Sequence, residues 1–232
     1  MSQEIIHEEH HKKSFVNLFR DITSYLKFLS EFGHKGVDFS DKTREIMRSW
    51  DLSAVFLDMV VCKNCKLADH RKRTINGMGD SCAELMIIGG MPEPEDARTG
   101  EPYSGREGEL LSKILSAMNL NRESVYITPA VKCCAPEAPE SVAANIKACK
   151  AHLLKEVEFV KPKIICAFGE RASSALLGIP LPIQRLRGRF HSFQGIQVMP
   201  TYSLGHLLKH SEDKRATWED IKLVMRNMGS GD

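Results

Sequence analysis

Runs of consecutive apolar residues alternate with amphipathic segments along the chain from Glu84 onward. The apolar runs are LMIIGG at 85–90, VYIT at 125–128, KIICAFG at 163–169 and IQVMPTY at 196–202. Apolar positions with helical spacing lie between and after them, near 106–118, 139–160, 170–177 and 206–228. Continuous apolar strands separated by helices are typical of a parallel sheet that is covered on both faces. The pattern therefore predicts an α/β fold with three αβα layers and a central, mostly parallel sheet of four strands.

The first fifty residues have a different pattern, with apolar positions at helical spacing and no strand-like run. This spacing predicts a long or broken amphipathic helix over about 4–32 and a short helix near 41–50. We therefore divide the chain into an N-terminal helical extension, 1–52, and a main domain, 53–232. The extension is interpreted either as a helical cap on the main domain or as an arm that binds a partner protein or nucleic acid.

Composition narrows the class of protein further. The 232 residues are 42% hydrophobic and 27% charged, which suits one α/β domain with an extension. The sequence contains no run of eighteen apolar residues, so no transmembrane helix is predicted. The polar, acidic N-terminus does not resemble a signal peptide. We therefore expect a cytoplasmic protein without membrane contact. A formal net charge of +2 neither requires nor excludes a nucleic-acid partner.

The chain has seven cysteines, and in a reducing compartment metal ligation explains such a number better than disulfides do. Cys62 and Cys65 form a C-x2-C pair, and Cys133 and Cys149 follow in VKCC and KACK. A C-x2-C pair can reach one metal centre, and a second pair completes a set of four thiolates. Zinc and a [4Fe–4S] cluster both accept four thiolates, so the spacing alone does not choose between them.

The other three cysteines have simpler interpretations. Cys166 lies inside an apolar run and is expected in the core, and Cys82 lies in a polar turn. Cys134 adjoins Cys133, so the spacing alone leaves either of them as the ligand.

Several segments, taken in order, resemble the iron–sulfur (family four) uracil-DNA glycosylases over about 55–228. The matching segments are CKNCKLADHRKRTINGMG, LMIIGGMPEPEDARTGEPYSGREGELL, VYITPAVKC, KPKIICAFGERASSALLG, RLRGRF and VMPTYSLGHLLKH. The second matches the family pattern G-E-A-P-G-x2-E-D-x2-G-x-P-F-V-G-x-A-G-x-L-L, and the last matches P-T-Y-H-P-S-x-L-L-R. The resemblance implies a uracil-DNA glycosylase-like fold. It also places the family's cluster ligands at Cys62, Cys65, Cys133 and Cys149. The resemblance therefore favours a [4Fe–4S] cluster as the bound group, with zinc as the alternative.

The resemblance also locates a base-binding site. The family's stacking phenylalanine corresponds to Tyr103. The turn Gly89–Gly90–Met91 would present backbone N–H groups to the base, because glycine permits close approach. The family's asparagine after Y-I-T corresponds to Pro129, which has no amide side chain with which to recognise a base edge.

The polar catalytic positions depart from the family. The histidine of H-P-S corresponds to Ser203, followed by Leu204 and Gly205. We expect His206 to replace that histidine in part, although a solvent-facing or capping histidine is the alternative. Asp96 is the best candidate for a carboxylate that positions water, although EPED is also typical of a solvated acidic turn.

Basic residues near the end of the chain indicate a DNA surface. QRLRGR presents Arg185, Arg187 and Arg189, and Lys209 corresponds to the family's final arginine. Such residues are typical of phosphate contacts, and ordinary solvated surface charges are the alternative.

Two functions are favoured over a third, a zinc-stabilised protein with no DNA role. The first is a DNA glycosylase that hydrolyses the N-glycosidic bond of uracil or a related altered base in base excision repair. The second is a catalytically degenerate iron–sulfur module of the same fold that only binds DNA. We expect a monomer in either case.

Overall fold

The computed structural model describes Leu52 and residues 55–134, 142–179 and 181–229. The helices predicted within 1–50 lie outside the described residues, so the division at residue 52 stays a prediction. The described part has six strands, which are β1 (Met78–Gly79), β2 (Leu85–Gly89), β3 (Tyr126–Pro129), β4 (Ile164–Phe168), β5 (His191–Phe193) and β6 (Ile196–Thr201). Besides a helical stretch at 55–60, its α-helices are α1 (Leu67–His70), α2 (Pro94–Thr99), α3 (Arg106–Ala117), α4 (Val142–Val160), α5 (Glu170–Leu177), α6 (Ile183–Leu186), α7 (Leu204–Lys209) and α8 (Lys214–Asn227).

The strands form one mixed sheet in the order β1-β3-β2-β4-β6-β5. The four central strands are parallel to one another, as predicted from the four apolar runs. β1 and β5 add short antiparallel edges that the apolar pattern did not predict. Both are short and half-buried or exposed, so they lack the continuous apolar run that identifies a central strand.

The sheet has an apolar core on each face because alternate residues of a strand point to opposite sides. Met86 and Ile88 of β2 pack with α4 and α5 on one face. Leu85 and Ile87 pack with α3 and α8 on the other, and Cys166 is buried in this second core. The protein is therefore an α/β fold with three layers, as predicted.

Three short helices, α1, α2 and α6, and one interruption differ from the predicted pattern. The acidic segment EPED forms the start of α2, with Pro94 at its first turn and left-handed Gly100 as its C-cap. α6 overlaps the QRLRGR segment, where the apolar pattern predicted no helix. The helix predicted near 206–228 is two helices, because His210 leaves helical geometry (φ −123°, ψ 80°) and a 3₁₀ turn, Ser211–Asp213, precedes α8. None of the described helices is long and apolar enough to cross a membrane.

Candidate active site

A cavity of about 430 Å³ opens at the carboxyl ends of the parallel strands. Gly90 follows β2, Gly169 follows β4 and Ser203 follows β6, so three strand ends meet there. Ligands of open α/β folds bind in crevices at this end of the sheet. The predicted site residues that line the cavity are Gly90, Met91, Tyr103, Ser203, His206 and Lys209.

Tyr103 is held in an uncommon backbone conformation at the cavity wall. Its φ is +56°, which few residues other than glycine adopt. A Cβ at Gly89 would lie 1.7 Å from the Tyr103 hydroxyl oxygen, and a Cβ at Gly108 would lie 1.7 Å from the Tyr103 carbonyl oxygen. The two glycines therefore make room for the side chain and for the backbone of Tyr103.

The tyrosine is enclosed at its hydroxyl end while the residue as a whole is half-buried. Burial, and then the negative charge of Glu107, raise the pKa of the Tyr103 hydroxyl well above its usual range. The phenol therefore stays neutral, and the ring is available at the cavity wall for stacking.

The glycine turn and Pro129 occupy different positions with respect to the cavity. Gly90 and Met91 line it, whereas Gly89 lies behind Tyr103. Pro129 is the buried last residue of β3 and is paired in register with Gly89. It is not one of the residues that line the cavity. The structure therefore brings the turn to the cavity and leaves Pro129 in the sheet.

Ser203 and His206 are brought together by the N-terminus of α7. Ser203 is the N-cap of this helix, and its hydroxyl oxygen accepts a hydrogen bond from the His206 backbone N–H at 3.2 Å. The His206 ring stacks on Tyr202 and on His210, with centroids 4.8 and 4.5 Å away. Its Nε2 lies 2.6 Å from Oδ2 of Asp213, which fixes the orientation of the ring.

Asp96 was predicted to position water, but its carboxylate stabilises a local turn of the backbone. Its carboxylate is buried and accepts hydrogen bonds from the backbone N–H of Glu93 (3.0 Å) and from the backbone N–H and hydroxyl of Ser104 (2.8 and 2.9 Å). It thereby caps α2 and fixes the turn before α3. Asp96 does not line the cavity, so we reassign the cavity carboxylate to another residue.

Glu107, in the first turn of α3, is a cavity carboxylate that the sequence did not single out. Its Oε1 lies where a Cβ at Gly205 would come within 2.3 Å. Burial, and then the charge and hydrogen bond of Glu93, raise the pKa of Glu107 to about 7, while the Lys209 ammonium opposes the shift. In the family patterns given above, Glu107 stands at an alanine and Gly205 at a serine. These two differences from the family patterns were the sequence features that could have identified Glu107 as a site residue.

The four predicted ligand cysteines come from separate parts of the chain. Cys133 and Cys149 are buried in one apolar cluster, against which Cys65 packs. Cys62 is near enough for its charge to affect the Cys133 thiol. Cys65, Cys133 and Cys149 therefore share one apolar cluster, with Cys62 near Cys133, and the chemistry of these four thiols fits thiolate ligation of a metal centre.

Two N–H groups point at these sulfurs. Arg71 Nη1 donates to Cys133 Sγ at 3.5 Å, and the Lys132 backbone N–H donates to Cys149 Sγ at 3.2 Å. Burial raises the pKa of the Cys133 thiol, and it raises that of Cys149 to about 11; these two donors oppose the shifts. A bound metal would supply the positive charge that thiolates need. Within the described ranges, no three His, Cys, Asp or Glu side chains are spaced as ligands of a single metal ion.

The three arginines of the predicted DNA surface have different environments. Arg185 lies on α6 and Arg189 follows it, and both are exposed. Arg187 is largely buried, and its guanidinium forms an ion pair with Asp220. This guanidinium is therefore a structural group rather than a surface contact for phosphate. Lys209 lies at the end of α7 and lines the cavity.

Comparison with known proteins shows the family of this chain. The family model described as the uracil DNA glycosylase superfamily matches residues 77–222. The type-4 uracil-DNA glycosylase of Saccharolobus solfataricus is 32% identical over 178 residues, which cover 73% of this chain and 82% of that protein. That of Thermotoga maritima is 32% identical over 165 residues, covering 69% and 86%. That of Archaeoglobus fulgidus is 26% identical over 181 residues, covering 75% and 91%. As the order of its motifs predicted, the chain belongs to the uracil DNA glycosylase superfamily.

Proposed function

We propose that this protein is a DNA N-glycosylase that removes uracil or a related altered base in base excision repair. The single observation that supports this most is the cavity at the strand ends. It combines an aromatic wall, a glycine turn and a polar helix N-terminus in a chain that belongs to the superfamily. Its volume of about 430 Å³ is within the range of small-molecule sites and leaves room for one extruded nucleobase.

Each part of the cavity has a task in this reaction. The Tyr103 ring stacks on the flipped base, and the backbone N–H groups of Gly90 and Met91 approach its polar edge. His206, oriented by Asp213 at its Nε2, donates a hydrogen bond from Nδ1 of its imidazolium form to the base as negative charge develops on it. Lys209 adds a positive charge at the same wall.

The DNA surface that we propose consists of Arg185, Arg189 and Lys209. The two arginines are exposed, and α6 packs through Leu186 with Leu207 of α7, the helix that ends in the cavity-lining Lys209. The three side chains are therefore proposed to contact phosphates beside the flipped nucleotide. Arg187 supports this surface from within through Asp220. The expectations of a cytoplasmic monomer, and of a partner for the N-terminal residues, stay predictions.

We propose that Cys62, Cys65, Cys133 and Cys149 hold a [4Fe–4S] cluster. Four thiols and two N–H···S hydrogen bonds support a thiolate-ligated centre, and the relatives named type-4 enzymes favour a cluster over zinc. When bound, such a group joins the segment around α1 to the end of β3 and to α4 by metal–sulfur bonds. Met91, which lines the cavity, packs against the cysteine cluster. Hydrolysis of an N-glycosidic bond involves no change of oxidation state, so the proposed reaction needs no electron from the group.

A cleavage assay on a panel of duplexes tests the enzyme. Duplexes containing uracil, hypoxanthine, xanthine or a mismatch are incubated with the holoprotein and then treated with alkali, which breaks the strand at an abasic site. We expect product on at least one of them. Tyr103→Phe should keep activity because the stacking ring remains, and Tyr103→Ala should lose most of it.

The second candidate, a module that only binds DNA, is favoured by the proline at position 129. A buried proline at a strand end donates no hydrogen bond to a base. Tight binding without product on any duplex, by a protein with a full cluster, would establish this alternative. Neither binding nor cleavage would remove both candidates.

A further inference from the structure

The cavity contains a carboxylate that the functions proposed above leave unused. Glu107 lies near the N-terminus of α3 and is half-buried at the cavity wall. The carboxylate predicted for the site, Asp96, is occupied by hydrogen bonds that fix a turn. Glu170 also lines the cavity, but it is exposed at the mouth. Glu107 is therefore the partly buried carboxylate that faces the cavity in the described part of the chain.

The place of Glu107 depends on the absence of a side chain opposite it. Its Oε1 and Cδ would lie 2.3 and 3.4 Å from a Cβ at position 205. A serine there, as in the family pattern, would displace the carboxylate. An alanine at 107, as in the same pattern, would leave no carboxylate at all. The two departures are thus complementary in shape, and together they put a carboxylate where the pattern has none.

Charged groups from several elements surround this carboxylate. The carboxyl groups of Glu93, before α2, and of Asp96, in α2, add negative charge beside it. Lys209 of α7 opposes them with a positive charge. The other titratable groups at the cavity are Tyr103, Glu170, Arg171, His206 and His210. Burial and the two carboxylates outweigh the lysine, so the pKa of Glu107 rises to about 7.

We propose that Glu107 is the general base of the hydrolysis, taking a proton from the water that attacks C1′ of the flipped nucleotide. This rests on the proposed function. The water oxygen forms a bond to C1′ while the C1′–N bond breaks, and the electron pair of that bond leaves with the base. The proton of the water passes to the Glu107 carboxylate and later to solvent. A carboxyl whose pKa lies near the working pH is suited to this task.

The pH dependence of the chemical step is the first test. Single-turnover cleavage is measured with saturating holoprotein on the best duplex of the panel. A base with a pKa of about 7 should give a rate that rises about tenfold from pH 6 to pH 8. Glu107→Gln keeps the shape but cannot accept the proton, so its rate should be about 100-fold lower and independent of pH. DNA affinity should stay unchanged.

Matched variants separate chemistry from folding. Glu109→Gln removes an exposed carboxylate from the same helix and should cleave like the parent. Glu107→Asp should restore part of the rate. Gly205→Ala places a methyl group against the Glu107 carboxylate and should lower the rate more than tenfold in the parent. In the Glu107→Gln protein the same change should cost less than twofold.

The outcomes distinguish this inference from the proposed function. If the parent cleaves and Glu107→Gln cleaves equally well, Glu107 is not the base and the glycosylase proposal stands. A rate that falls with pH through 7 would assign the opposite proton transfer and overturn the inference. If the parent releases no base, the proposed function itself is wrong.

Carbon-13 spectra of glutamate-labelled holoprotein give an independent readout. One carboxyl should titrate near pH 7, and its absence would also overturn the inference.

Discussion

The guanidinium of Arg187 is paired with the fully buried carboxylate of Asp220. Nε and Nη2 of the arginine lie 3.0 and 2.9 Å from the two carboxylate oxygens. The Thr201 hydroxyl donates to the same carboxylate at 2.7 Å, and the guanidinium also lies 5.3 Å from the centroid of the Tyr202 ring. One ion pair therefore joins the residue after α6 to α8 and to the end of β6, beside the cavity.

We predict that Arg187→Ala destabilises the fold. Removing one partner of a buried ion pair leaves the other charge without compensation, at a cost of about 3–5 kcal/mol. Burial already raises the pKa of Asp220, and the arginine opposes that shift, so the variant should also make Asp220 easier to protonate. Urea denaturation of the holoprotein measures the loss. Arg185→Ala, an exposed neighbour, should change the free energy of unfolding by less than about 0.5 kcal/mol.

The exposed basic residues, which should contribute little to stability, should instead contribute to DNA binding. Arg185→Ala, Arg189→Ala and Lys209→Ala should each weaken binding to any duplex. Each should also reduce the slope of log affinity against log salt by about 0.9, the value for one phosphate contact. Fluorescence anisotropy across a salt series measures both quantities. A flat salt response of the parent protein would contradict the proposed DNA surface.

The sequence predicted the strands well because each central strand is a continuous apolar run. β2 and β4 are buried along their whole length, so their composition alone identifies them. α2 was missed although its signals were present, namely Pro94 in the first turn, a carboxylate at the third position and Gly100 as the C-cap. The segment is short and acidic, and this composition favoured the interpretation as a solvated turn over the helix that the capping residues indicate.

The site was harder to predict than the fold because its contacts join distant positions. Asp96 has the right chemistry for water positioning, and only its hydrogen bonds to Glu93 and Ser104 show that it is a cap. The pairing of Glu107 with Gly205 requires α3 and α7 to be packed together. Arg187 likewise resembles its exposed neighbours in sequence, and its ion pair with Asp220 distinguishes it.

The cysteine ligands can be tested with two adjacent residues. Cys133→Ser should lose the visible absorbance of an iron–sulfur centre and most of the bound iron, because serine is a poor substitute for a thiolate. Cys134→Ser should keep both. Iron and sulfide analysis after purification without air provides the measurement, and zinc in place of iron would contradict the proposed cluster. Equal loss in both variants would contradict the assignment of Cys133.

A buried ion pair lies next to these ligands and should contribute strongly to stability. The Lys132 ammonium contacts the Glu156 carboxylate, and both side chains are almost completely buried. Glu156 also accepts hydrogen bonds from the Gly77 backbone N–H (3.1 Å) and the Thr128 hydroxyl (2.8 Å). Glu156→Gln should therefore cost about 3–5 kcal/mol of unfolding free energy. The exposed Glu158→Gln on the same helix is the control and should cost almost nothing.

The last prediction concerns the His206–Asp213 pair. Nε2 of the histidine lies 2.6 Å from the aspartate, so the aspartate fixes the orientation of a ring that lines the cavity. His206→Ala should lower single-turnover cleavage by about 10–100-fold, because it removes a donor to the departing base. Asp213→Asn should lower it in part, and the double variant should be no worse than His206→Ala alone. Glu212→Gln, which changes the adjacent exposed carboxylate, should leave cleavage unchanged. If His206→Ala cleaves at the parent rate while its cluster is intact, the histidine has only a packing role between Tyr202 and His210.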